Sequence, residues 1–498
     1  MSEIVAMEGQ PQPGVGQTVF KNTAFITLGN ATLKALNFLF SVYVVRTLGD
    51  DRFGQYSIVV AFVGLFSIFA ELGMTQYAMR EIARDHSKTQ VLFWNLVILR
   101  LSLAVLGIVG ITLGAVVAGY SSELVLGIFI LACGFLLSAF AIPLQVVLTA
   151  NERFDYATGM NILGQLAFVT FGSIFLFSGW GFISLIIANL IGIPLQIALA
   201  AWTINRLRLA TLSFQVNPRI WISLIRSGIP FGIISLALTI TYSVDTIMLS
   251  MYQPEHVVGW YNVGYRLVFA LMFFFGGFKE AIVPSLSRTY VSNPVRVERW
   301  YHRSVKFIML ISFPMAIGGV LVAFPLIRFL YTDKFLPSAL GLQILIWDVP
   351  FVMFSAFCGN MSTIVGEERS AARIYSVNAV VNIFLNLYAI SHFGMIGASF
   401  ITVVTDLIGS LQFYLLFRRK LHLPDMASTL ARIVIASAVM GVAVWLVGDH
   451  HLFVLISVGA VVYAAMVLVL RLFDDTEKEM LIRLVRRGSR PAPVDEAI

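Results

Sequence analysis

The chain has 498 residues, 58% hydrophobic and only 12% charged, with 34 Lys plus Arg against 27 Asp plus Glu and a net charge of +7. Soluble domains run at about 45–50% apolar and about 25% charged, so this chain has too little charge to coat water-facing domains of its length. A soluble protein and a nucleic-acid-binding module are excluded, and the sequence reads as an integral membrane protein with most of its mass in the bilayer.

Residues 1–20 are polar, carry Pro11, Pro13, Gly14 and Gly16, and lack the basic start and short apolar core of a cleaved signal. They read as a cytoplasmic tail before a true membrane span. Apolar windows then follow at 24–45, 54–76, 91–118, 124–148, 157–178, 181–204, 226–251, 257–284, 305–330, 338–364, 372–391, 394–417, 430–447 and 452–471. The fold class expected is an all-α membrane protein with about 14 transmembrane helices. Loops between spans are short, so no catalytic ectodomain or nucleotide-binding domain fits, and no P-loop pattern occurs. Cys133 and Cys358 lie far apart in apolar runs and read as small core residues. No cofactor is expected.

Basic residues alternate in sidedness. One side holds Arg80, Arg84, Lys88, Arg153, Arg206, Arg208, Arg219, Arg226, Arg288, Arg369, Arg373 and the run Arg418–Lys420; the other holds Arg46, Arg52, Arg328 and Lys334. This asymmetry predicts that both termini are cytoplasmic. Residues 473–498 read either as an amphipathic helix on the inner leaflet or as a disordered basic tail.

Internal matches suggest duplication. Gly54 and Tyr56 fall opposite Gly259 and Tyr261, Glu152–Arg153 opposite Glu368–Arg369, Asn161 and Gln165 opposite Asn378 and Asn382, and NLIG at 189–192 opposite DLIG at 406–409. The offset lengthens from 205 to 217 residues and each pair keeps its side of the membrane. Two parallel lobes of about six helices each, with a further C-terminal helix pair, are therefore expected. The boundaries are an N-lobe at 21–205, a cytoplasmic linker at 206–225, a C-lobe at 226–418, and the last two helices at 419–472. Such lobes suit a transporter that exposes its substrate alternately to each side; a duplicated static scaffold is the alternative.

Charges inside spans are costly and so informative. Lys34, Arg100, Arg266 and Lys279 are cations at membrane depth; Glu71, Asp245, Asp348 and Asp406 are carboxylates there. The cations predict either ion pairs that hold helices together or a water-filled cationic cavity for an anionic substrate such as a phosphate, pyrophosphate or carboxylate. Glu71, Asp245 and Asp406 are candidates for ion coupling or gating. Asn378, Asn382 and Asn386 recur at steps of four, and Asn161 and Gln165 repeat part of that stripe. Amides in spans mostly hydrogen-bond helix to helix, which is their expected role here. Pro143, Pro194, Pro230, Pro284, Pro314, Pro325 and Pro350 mark kinks that either serve as hinges or only shape packing.

Several of these stretches resemble bacterial polysaccharide (O-antigen type) flippases: FAELGMTQYAMREIARD at 69–85, IPLQVVLTANERFDYA at 142–157, VDTIMLSMY at 244–252, VGWYNVGYRLV at 258–268 and PLIRFLYTDKFLPSALGLQILIW at 325–347. In the last, Thr332–Asp333 stands where a glycine-containing turn is usual. The resemblance covers residues 20–470 and places the chain in the superfamily that also holds multidrug antiporters and the lipid II flippase. It implies movement of an undecaprenyl-pyrophosphate-linked oligosaccharide from the cytoplasmic to the outer leaflet of a bacterial cell membrane, for surface polysaccharide biosynthesis. It further implies a cationic cavity at Lys34, Arg100, Arg266 and Lys279, and a polysaccharide polymerase and chain-length proteins as further partners. The driving force stays open between H⁺ or Na⁺ bound at Asp245, Asp406 or Glu71 and the membrane potential acting directly on a charged substrate. Rivals are a multidrug cation antiporter, which needs a carboxylate that the first span lacks, a polysaccharide polymerase or ligase, which needs a large outer loop, and a non-transporting assembly partner.

Overall fold

A computed structural model describes the backbone of residues 15–473 except 212, 293, 421–425 and 449; side chains at 15–28, 30, 31, 70, 230, 231, 234, 273–285 and 287–297 lie outside the description. The expected helix or basic tail at 473–498 therefore falls almost wholly outside the described residues.

Every described element is helical. The first helix, α1 (Val15–Glu71), covers two of the expected spans, because it continues through an elbow at Gly49 with φ 74° and ψ 179°. That region of backbone space is open essentially to glycine alone. The helix ends at Leu72 and Gly73, both at positive φ, and α2 (Met74–Arg84) follows. α2 is amphipathic: Met74, Ala78 and Ile82, each four residues apart, form its buried face. Then come α3 (Thr89–Val117), α4 (Ser122–Ala150), α5 (Phe154–Phe177), α6 (Phe182–Arg206) and α7 (Arg219–Tyr252). α8 (Glu255–Ser292), α9 (Pro294–Leu330), α10 (Ser338–Leu345), α11 (Asp348–Ile364), α12 (Glu368–Lys420), α13 (Ala427–Val447) and α14 (Leu452–Val469) complete the chain.

Among the described residues, nine helices are long and apolar enough to cross a membrane, ten if α10 and α11 form one span bent by 46°. Pro350 explains that bend: it cannot donate to the carbonyl of Ile346 and its ring crowds that carbonyl, so the helix breaks there. α12 repeats the α1 arrangement, with two expected spans joined through Gly394 at φ 55°. The protein is thus multi-pass. Leu106, Val109, Leu113 and Val117 form an exposed apolar stripe on α3 that water would not tolerate and lipid would.

Contacts divide the chain into Met1–Gly259 and Trp260–Ile498. In the first unit, Phe93, Val97, Leu144, Val147, Met160, Ala200 and Ile204 knit α3, α4, α5 and α6 together. A second cluster, with Met74, Ile82, Leu96, Val146 and Leu224, adds α2 and α7. The buried Asn95 pins the 207–218 linker to α3: its Oδ1 accepts from the Asn217 amide at 2.9 Å and from Trp221 Nε1 at 2.8 Å. In the second unit, α9 packs against α10, α11, α13 and α14, and Leu310, Ile433, Ala436 and Val467 form one core there.

The repeat is visible at the elbow. A Cβ on Gly54 would strike the Glu255 carbonyl, and one on Gly259 would come within 2.5 Å of the Asp50 carbonyl. These are reciprocal contacts between repeat-related positions, as a local two-fold requires. Asp51 and His256, themselves repeat-related, meet at 3.1 Å. The helix break at 253–254 is thus the counterpart of the Gly49 elbow, and the turn at Gly179–Gly181 the counterpart of Gly394.

Candidate functional site

The first unit holds a cavity of about 380 Å³ among α1, α5 and α6. Its wall is Leu33 and Asn37 from α1; Asn161, Gly164, Gln165 and Phe168 from α5; and Asn189, Gly192, Ile193 and Gln196 from α6. The α5 and α6 residues each step by i, i+3, i+4 and i+7, which is one helix face. Two glycines let these faces approach. A Cβ on Gly192 would sit 2.8 Å from the Gly164 carbonyl, and one on Gly164 would run into the Gln196 amide. Among the described residues, the wall therefore carries five carboxamides and no ionisable side chain. Asn37, Asn161 and Asn189 are exposed, and the buried Gln165 Nε2 has no hydrogen-bond partner. An amide facing hydrocarbon without a partner is strongly disfavoured, so these amides face a wet space.

Lys34 is exposed on α1, one helical turn before Asn37 and adjacent to Leu33. It lies about 22 Å along the helix from the Gly49 elbow, within a hydrocarbon layer about 30 Å thick. Of the expected cations in this unit it is the one whose helix neighbours, Leu33 and Asn37, line the cavity. Arg100 has a different setting. It is 5% exposed on α3, and its Nη1 donates to Thr75 Oγ1 at 3.1 Å. The charge of Glu71, the last residue of α1, acts favourably on it. Arg100, Glu71 and Thr75 thus come together at the α1–α2 break. α7 packs onto the same break, since a Cβ on Gly228 or Gly232 would meet the backbone of Leu72 and Gly73. Asp245 is 2% exposed on α7.

In the second unit Arg266 is half-buried on α8. Lys279 also belongs to α8, but its side chain lies outside the described residues. Asp406 on α12 lies beside Asp348, the first residue of α11.

The amides of this unit behave as the sequence suggested. Asn382 Nδ2 donates to Thr405 Oγ1 at 3.4 Å, Asn386 Nδ2 to Asn382 Oδ1 at 3.2 Å, and Asn378 packs on Gly409. They join the two arms of α12. Their counterparts Asn161 and Gln165 instead line the cavity, and Gln196 was not singled out by sequence reasoning at all. The signal was present: Asn-x-x-Gly recurs at 161–164 and 189–192, and the face it begins on α6 continues to Gln196.

Residues 19–290 match the polysaccharide biosynthesis protein family, and residues 230–388 match the MatE family. A relative from Haloferax volcanii, named "Probable low-salt glycan biosynthesis flippase", is 23% identical over 470 residues, 90% of this chain and 96% of its own. An uncharacterized membrane protein of Methanocaldococcus jannaschii is 31% identical over 97 residues, 19% of each chain. Among solved structures, a lipid II flippase in an inward closed conformation aligns with a TM-score of 0.75 at 17% identity, covering 93% of this chain and 99% of its own. An inward-facing multidrug resistance transporter of the MATE family aligns at 0.65 and 18% identity, covering 78% and 94%. At these identities the structural likenesses establish the fold.

Proposed function

Because the chain belongs to the polysaccharide biosynthesis protein family, we propose that it is a flippase for a lipid-linked glycan. The finer reading is that the cargo is an undecaprenyl-pyrophosphate-linked oligosaccharide, moved from the cytoplasmic to the outer leaflet of a bacterial cell membrane by alternating access of the two repeats, with both termini cytoplasmic. The observation that carries it is Lys34: an exposed cation within an apolar span, on α1 beside Leu33 of the amide-lined cavity wall. A pyrophosphate needs such a charge and a sugar needs such a wet path, while the prenyl chain stays in lipid.

Lys34 and Arg266 are the cations we assign to the pyrophosphate, with Lys279 as a further contact. Arg100 is assigned to the same path as a positioning residue, through its hold on the α1–α2 break beside Glu71. For the driving force we propose H⁺ or Na⁺ coupling through Glu71, Asp245 or Asp406. Asp406 is favoured for H⁺ because a second carboxyl, Asp348, lies beside it, and two close carboxylates resist ionising together. The membrane potential also acts on an anionic cargo, at about 2.3 kcal/mol per charge per 100 mV. Polymerase and chain-length proteins are the partners this cargo entails.

The MatE match supports a second reading, a multidrug cation antiporter. The absence of any carboxylate among the described residues of the first unit's cavity wall speaks against it. The test is reconstitution of the purified protein into liposomes with a fluorescent prenyl-pyrophosphate-linked oligosaccharide, scoring access of an impermeant reagent. Movement that is lost in Lys34→Ala and Arg266→Ala supports the flippase; proton- or sodium-driven movement of a cationic dye instead overturns it.

A further inference from the structure

We propose that the five-carboxamide cavity of the first unit is a sugar subsite, which takes the sugar directly attached to the pyrophosphate. The proposal rests on the flippase reading and goes beyond it, by assigning the neutral part of the cargo to Asn37, Asn161, Gln165, Asn189 and Gln196.

Four observations converge. The wall offers only neutral polar groups, each carboxamide presenting both donors and an acceptor. Sugar hydroxyls likewise donate and accept, whereas a cation or a phosphate would need opposite charge. The cavity volume, about 380 Å³, falls in the usual small-ligand range of about 300–1,000 Å³ and admits a sugar ring with water. No hydrogen bond joins one of the five amides to another among the described residues, and the Gln165 Nε2 donor is buried without a partner. In the second unit Asn382, the counterpart of Gln165, is spent on Asn386 and Thr405, and Asn378, the counterpart of Asn161, packs on Gly409. The amide wall is therefore not a by-product of duplication.

Lys34 fixes which sugar. It flanks Leu33 and Asn37 on α1, so a phosphate at its ammonium leaves the adjoining ring at the amides. Sugars further along the chain have no such constraint. The subsite reads the first sugar as a hydroxylated ring through several modest hydrogen bonds, which also allow its release on the other side.

The test is equilibrium binding to purified protein in nanodiscs, with two probes: undecaprenyl pyrophosphate carrying one neutral hexose, and undecaprenyl pyrophosphate alone. Asn161→Ala, Asn189→Ala and Gln165→Leu are compared with wild type and with Lys34→Ala. Each amide variant is expected to weaken the hexose probe by about 2- to 10-fold and to leave the sugar-free probe unchanged, while Lys34→Ala weakens both. Unchanged affinity for the hexose probe in the amide variants would mean a hydrated cavity only and would overturn the subsite. Equal losses for both probes would overturn it as well, by making the amides structural. In either case wild-type binding of the pyrophosphate leaves the flippase reading intact. If wild type binds neither probe, the flippase reading fails and the subsite with it. Asn189→Ala guards against misfolding, since Asn189 is exposed.

Discussion

Asn386 is fully buried and donates to Asn382, whereas Asn37 is exposed on a cavity wall. Removing the first leaves the Asn382 oxygen buried without its donor, which costs about 1–3 kcal/mol. Asn386→Ala is therefore expected to lower the thermal unfolding midpoint in detergent, while Asn37→Ala, which breaks no such bond, stays within about 0.5 kcal/mol of wild type. Equal midpoints for the two variants would contradict this division of roles. The sequence marks both as polar residues at depth but does not distinguish them, because the distinction depends on the neighbour. Asn386 has the second arm of α12 beside it; Asn37 has the space left by Gly164 and Gly192. For Arg100 the deciding neighbour, Thr75, lies on a short amphipathic helix that hydropathy windows take for the end of a span.

Elements were more legible than sites. A run of apolar residues long enough to cross a bilayer has few alternatives to helix, so each expected window is helical over most of its length, that at 54–76 being broken between α1 and α2 and that at 338–364 between α10 and α11. Their ends moved outward, as at α9, which starts at Pro294 rather than 305, because helices continue past the apolar layer into water. The elbows at Gly49 and Gly394 escaped notice for a related reason: hydropathy detects the polar interruption but not that the helix resumes through one glycine. Gly49→Ala and Gly394→Ala should each cost about 1–3 kcal/mol, measured as reduced thermal stability; unchanged stability would mean the elbow tolerates a Cβ.

The elbow also has a pH signature. Burial pushes the Glu255 carboxyl above its usual range, Asp51 and Glu123 adding to the effect against Gln55 and Arg52. Its folded-state value is raised, so its contribution is complete below the ordinary carboxylate range and is lost as pH rises through the raised value. Thermal stability from pH 4.5 upward should fall less in Glu255→Gln than in wild type. Parallel profiles would contradict that account.

At the scale of the whole molecule, duplication supplies two similar helix sets, and the chain has used them differently. The first carries a neutral amide cavity, the second two neighbouring carboxyls, Asp348 and Asp406, and bonded amides. Sugar recognition is thereby proposed for the first repeat and proton coupling through Asp406 for the second, so Asp406→Asn should leave binding of the glycan lipid intact while abolishing its dependence on a proton gradient. Loss of binding in that variant would contradict the separation. The most direct measurement of the central claim is transbilayer movement of a fluorescent prenyl-pyrophosphate-linked oligosaccharide in proteoliposomes, wild type beside Lys34→Ala at matched protein content. The account predicts movement in wild type and its loss in the variant. Equal movement in both, or none in wild type, would contradict it.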